Sequence, residues 1–99
     1  MLTRIVKLTF KPENSPRFEA LFEETKVYIQ NQEGCASLEL LQDTMNPNLF
    51  FTYSKWESEA FLDKYRKSDF FKGVWSRTKI LFDDKPEAWS VHQKYTTEK

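Results

Sequence analysis

Residues 49–56 read LFFTYSKW. In a strand this alternation puts Leu49, Phe51 and Tyr53 on one face and Phe50 and Trp56 on the other. A strand that is apolar on both faces must be covered on both. The chain has 99 residues, enough for about one domain. Such a domain usually stacks two layers of secondary structure, which leaves one face of the sheet without cover from its own helices. The aromatic content sharpens the constraint: nine Phe, four Tyr and three Trp. A domain this short buries only about 60–65% of its unfolded surface. A second subunit is therefore expected to cover some of these rings, and others to line a pocket.

The remaining pattern supplies the other elements. Residues 3–10 (TRIVKLTF) alternate, with Arg4, Val6, Leu8 and Phe10 on one face, and predict a strand. Ser15-Pro16 reads as a helix N-cap followed by proline at the first helical position. Phe18, Leu21, Phe22, Thr25, Tyr28 and Ile29 then fall at helical spacing, and Glu33-Gly34 closes the segment. Residues 35–43 (CASLELLQD) form a second strand with Ala36, Leu38 and Leu40 in phase. A hairpin loop around Asn46-Pro47 leads to residues 49–56. Ser58 opens a helical region carrying Phe61, Leu62 and Tyr65. Lys67-Ser68-Asp69 is a kink or the start of a further helix with Phe70, Phe71, Val74 and Trp75. Residues 88–95 (AWSVHQKY) give a last strand with Trp89, Val91 and Tyr95 in phase, and the tail Thr96-Thr97-Glu98-Lys99 is expected to fray. The order βαββαβ defines an α+β, ferredoxin-like fold: a four-stranded antiparallel sheet with helices on one face. Its other face predicts a two-fold homodimer, a dimeric α+β barrel. With no linker or repeat, residues 1–99 form a single domain with a core at about 2–95.

Several function classes fall away on composition. Fifteen basic and fifteen acidic residues leave no basic excess for a sequence-independent nucleic-acid binder. No apolar run approaches the roughly 20 residues of a membrane span. The N-terminal residues 1–7 lack a signal-peptide core, so a cytoplasmic location is expected. One cysteine, Cys35, excludes an internal disulfide, and one histidine, His92, excludes multi-histidine metal sites within one subunit.

Gly34-Cys35-Ala36-Ser37-Leu38-Glu39-Leu40-Leu41-Gln42-Asp43, the Asn46-Pro47 turn, Lys55-Trp56-Glu57-Ser58-Glu59-Ala60-Phe61 and Ser68-Asp69-Phe70-Phe71 follow one another in an order and spacing that resemble the antibiotic biosynthesis monooxygenase family. The resemblance covers roughly residues 2–95. It implies a dimeric α+β barrel and an oxygenase that works without flavin, haem or metal. Such an enzyme oxidises an anthrone or quinol in a pocket between sheet and helices, the deprotonated substrate reacting with oxygen directly. Ser54 stands where many members carry a glutamate two residues before the tryptophan, and Tyr65 where many carry a histidine nine residues after it. The Asn, Trp and His of the haem-degrading branch correspond to Ile5, Tyr65 and Trp75, which speaks against haem degradation.

Each candidate residue has two readings. Tyr65 hydrogen-bonds a substrate oxygen, or is a core tyrosine with its hydroxyl at the rim. His92 is a general base, or a surface histidine in phase with Ser90 and Lys94; its parity favours the second. Arg4 holds an anionic oxygen and lowers a substrate phenol pKa, or pairs with an interface carboxylate. Ser54 completes the polar candidates, although its spacing to His92 makes no triad. Phe51 and Tyr53 line the pocket or fill the dimer interface. Phe61, Phe71 and Trp75 line the pocket, or belong to the core. Trp56 reads as a packing anchor whose Nε1–H ties down the loop before the helix. Cys35, after the helix end, reads as structural. The resulting expectation is a cofactor-independent monooxygenase acting on a planar aromatic small molecule. The alternative is a non-catalytic ligand-binding or interaction dimer of the same fold.

Overall fold

A computed structural model of the chain describes residues 1–97. Four strands, β1 (Leu2–Thr9), β2 (Cys35–Gln42), β3 (Leu49–Trp56) and β4 (Glu87–His92), form one sheet in the order β2-β3-β1-β4. All neighbours are antiparallel. Three helices, α1 (Ser15–Gln30), α2 (Glu59–Arg66) and α3 (Asp69–Lys79), cover one face. The order is the βαββαβ plan with its second helical segment divided, and the sheet of the single chain is open at both edges.

Register decides which side chains meet the helices. Directly paired residues on neighbouring strands point to the same side. Arg4 pairs with Ser54 and Ser90, Val6 with Thr52 and Ala88, and Leu8 with Phe50. These face the helices, as the alternation of residues 3–10 predicts for β1. Phe10, Phe50 and Trp56, each 1% exposed, are the largest fully buried side chains. Phe10 stacks on Phe18 of α1 at 4.3 Å between ring centroids, closing the core at one end. Trp56 stacks on Tyr65 of α2 at 5.2 Å, closing it at the other.

Several boundaries differ from expectation for identifiable reasons. Ser15 is the first residue of α1 rather than its cap. A 3-10 turn, Pro12–Asn14, runs straight into the helix, and the Ser15 hydroxyl donates instead to Asn48 Oδ1 at 2.7 Å in the β2–β3 loop. α1 ends at Gln30, four residues before Gly34. Gly34, at φ +84°, makes the turn into β2, and a Cβ there would collide with the ring of Phe61. In β2 a bulge between Cys35 and Ser37 removes Ala36 from the alternation. Leu38 and Leu40 keep the predicted phase, and Cys35 pairs with Trp56. Ser68 is a full stop between two helices: its hydroxyl donates to the Tyr65 carbonyl at 2.6 Å and accepts from the Phe71 N–H at 3.1 Å.

β4 ends at His92, not at residue 95, because His92 pairs with Leu2 and β1 offers no partner beyond it. Tyr95 consequently lies outside the strand, 83% exposed. The expected fraying of Glu98 and Lys99 lies outside the described residues. Among the described residues no helix is long and apolar enough to cross a membrane.

Candidate functional site

Sheet and helices do not close completely on one another. Between them lies a cavity of about 390 Å³. Its floor comes from β1 (Arg4, Val6, Leu8), β2 (Leu38) and β3 (Thr52, Ser54, Trp56). Its roof comes from the apolar stripe of α1 (Phe18, Leu21, Phe22, Thr25, Ile29), from Leu62, Tyr65 and Arg66 of α2, and from Phe71, Val74, Trp75 and Thr78 of α3. Pro86, with Glu87 and Ala88 of β4, borders it. A mostly apolar concavity with few polar groups is the usual form of a small-molecule site.

The rings are held at defined angles. Tyr65 lies over Trp56 with planes 23° apart and meets Phe71 edge-on at 5.1 Å. Phe71 and Trp75, one turn apart on α3, lie parallel within 7° at 6.2 Å, and Trp75 meets Phe82 edge-on at 5.6 Å. Phe71 and Trp75 are half-buried, so part of each remains open to a guest.

The polar groups nearest the rings can donate. Ser54 Oγ accepts the Trp56 indole N–H at 3.0 Å, which fixes its orientation and leaves its own proton available. That bond keeps the indole N–H within β3, rather than on the loop before α2. Burial, and secondarily the neighbouring Cys35 thiol, hold the Tyr65 phenol well above its ordinary pKa, so it stays protonated and donates. Arg4 donates to Ser90 Oγ at 2.9 Å. Burial and then the charge of Arg66 lower its pKa, while Asp63 raises it; a guanidinium so placed remains charged. Arg4 therefore faces the helices and bonds a neutral hydroxyl instead of a carboxylate. The hydroxyls of Thr25 and Thr78 are committed to their own helices, donating to the Leu21 and Val74 carbonyls at 2.8 Å. Cys35, half-buried, has its thiol pKa pushed up chiefly by burial, with a weaker opposing effect from the backbone of Ser37.

Of the nine candidate residues, Arg4, Ser54, Tyr65, Phe71 and Trp75 meet at this cavity. Four do not. Phe51 and Tyr53 point from the opposite face of the sheet, paired there with Lys7 and Ile5. Phe61 packs beside Trp56, against Gly34. His92 shares the helix-facing parity of Ser90, yet sits at the exposed end of β4 opposite Leu2 and is no part of the cavity wall. The residue missed from sequence is Arg66. It follows Leu62 by four positions and so shares its helical face, a signal present in the chain. Thr52 was equally readable from the parity of Ser54. Among the described residues no group of three or more His, Cys, Asp or Glu side chains is placed to hold a metal ion.

A sheet of this order, roofed by helices over an aromatic cavity, defines a class of small ferredoxin-like α+β proteins. The family model for antibiotic biosynthesis monooxygenases matches residues 1–74, and the chain belongs to that family. A conserved protein from Methanosarcina mazei Go1 superposes with a TM-score of 0.88 at 26% identity, over 95% of this chain and 94% of that one. The structure of an antibiotic biosynthesis monooxygenase superposes at 0.87 with 19% identity, over 94% and 98%. Rv0793 from Mycobacterium tuberculosis superposes at 0.87 with 14% identity, over 98% of both chains. The last two likenesses speak to the fold alone. No curated protein matches the chain.

Proposed function

We propose that this protein is a cofactor-independent monooxygenase of a planar aromatic, quinol- or anthrone-like molecule. One observation carries the reading: an aromatic cavity of about 390 Å³ lined by three groups able to donate, Tyr65, Ser54 and Arg4, the last of which already gives one N–H to Ser90. Donors aimed into an apolar space stabilise an anion there. A bound phenol or ring ketone loses its proton more easily in such a site, because its anion is solvated by fixed N–H and O–H groups. Phe71 and Trp75 hold the flat ring. The anion then reduces dioxygen: a ring methylene becomes a carbonyl, one oxygen atom enters the product and the other leaves as water. The proton released by the substrate passes to solvent, since Tyr65 is already protonated.

The same donor set fits a protein that binds such an anion without turnover, because none of the three groups is a base. Oxygen uptake over a panel of anthrones and dihydroxynaphthalenes separates the two. Catalytic uptake that survives chelation is expected. Tight binding of the panel with no uptake above the uncatalysed rate would establish the non-catalytic reading.

We further infer a homodimer through the outer face of the sheet. Ile5, Leu41, Phe51, Tyr53, Trp89 and Val91 form an apolar patch on that face, bordered by Lys7, Glu39, Lys55 and Glu87, with Leu41, Trp89 and Val91 each 40–45% exposed. An exposed patch of large apolar side chains rimmed by charges is the usual form of a contact surface. Two sheets packed on it would complete the barrel that the sequence predicts.

A further inference from the structure

The cavity has a wet end and a dry end. Ser54, Tyr65 and Trp56 are buried, whereas Arg4 is half-buried and Arg66 and Ser90 are exposed. Two guanidinium groups thus border the opening of an otherwise apolar space. Their mutual repulsion is uncompensated by direct pairing. The ion pairs among the described residues are Lys7–Glu87, Lys26–Glu23, Lys64–Glu33 and Arg77–Glu24, and neither Arg4 nor Arg66 takes part in one. Glu87, which borders the cavity, is occupied by Lys7 at 3.8 Å. Asp63 attracts Arg4 from α2 without reaching ion-pair distance, and offsets one of the two positive charges. One positive charge is left over at the mouth.

We propose that the ligand of this cavity carries a permanent carboxylate beside its aromatic body, gripped at the mouth by Arg4 and Arg66 while the ring enters between Phe71, Trp75 and the sheet. The proposal rests on the reading of the cavity as a site for a flat aromatic molecule, and narrows that molecule to an aromatic acid. A carboxylate matches the planar fork of a guanidinium. Placed at the rim, it keeps part of its hydration and avoids the penalty of deep burial. A phosphate monoester brings a charge nearer −2, more than the single surplus at the mouth.

Isothermal titration of the protein with 2-naphthoate, 2-naphthamide and 2-naphthyl phosphate tests this. The first two differ in charge and hardly in shape. Naphthoate is expected to bind roughly tenfold more tightly than naphthamide, as a charge-assisted pair at a partly exposed site allows. Added salt should weaken naphthoate alone. Arg66→Gln, at the exposed end of α2, should erase most of the preference by weakening naphthoate far more than naphthamide; Arg4→Gln should do the same. Equal affinity for the two, or a preference that survives Arg66→Gln, would overturn the anion grip while leaving the aromatic cavity intact. Tighter binding of the phosphate would overturn the carboxylate assignment. Binding of none of the three would overturn the aromatic reading of the cavity as well.

Discussion

Tyr65 shows how environment decides a side chain's role. Its ring is held between Trp56 and Phe71, and burial penalises the phenolate. An acid whose folded pKa lies above its unfolded value of about 10 stabilises the fold fully below that pH. The contribution fades above it, because the unfolded chain gives up its proton first. Urea midpoints measured from pH 8 to pH 11 should therefore fall for the native protein, and fall less steeply for Tyr65→Phe. In the oxygenase assay the same variant is expected to lose about tenfold or more in kcat/KM at equal folded fraction, the effect of removing one anion donor. Unchanged turnover would remove Tyr65 from the donor set. Ser54 and Tyr65 were legible in the sequence, since parity with Trp56 and spacing from Phe61 and Leu62 suffice. The placement of His92 was not. With apolar residues on both faces of the sheet, the alternation of residues 88–95 does not say which side Trp89 and Val91 take; pairing with β1 turns them outward and turns Ser90 and His92 toward the helices. Hydropathy cannot tell the inside of a two-sided sheet from its outside.

At the level of elements, short local devices hold the cavity roof and its turn. Ser68 ends α2 and starts α3 with one hydroxyl. Ser68→Ala should cost about 1 kcal/mol in chemical denaturation, the usual value of an N-cap. Gly34 meets two demands at once, a left-handed backbone and contact with Phe61. Gly34→Ala is expected to cost about 2–4 kcal/mol, combining backbone strain with overpacking. Phe61→Ala should lower that penalty in the double variant, because it removes the collision and leaves the strain. A cost within error of zero would refute the close approach. Element type and order were readable from periodicity, capping and turn residues alone. The ends were less so. The extent of β4 depends on where β1 begins, and the bulge at Ala36 depends on pairing with β3; both are properties of the ladder and of no single segment.

For the whole molecule, LFFTYSKW states the central problem, and the structure divides its rings cleanly. Phe50 and Trp56 build the core, while Phe51 and Tyr53 join Ile5, Trp89 and Val91 on the outer face. Trp89→Glu, which places a charge in that face, should shift light-scattering mass from dimer toward monomer. The helical circular dichroism should persist, because α1, α2 and α3 pack on the other side. A dimer that withstands this change would have to use another surface. Last, the cavity wall contains neither an imidazole nor a thiol, and the chain's one histidine lies away from it. The neutral-range pH–rate curve of an enzyme built this way is the ionisation curve of its guest. Two substrates whose bound acidities differ by one unit should give limbs displaced by one unit, on the same protein, with no residue changed. The rate profile would then work as an acidity scale for whatever the cavity holds, and could identify a natural substrate by matching its ionisation to the curve.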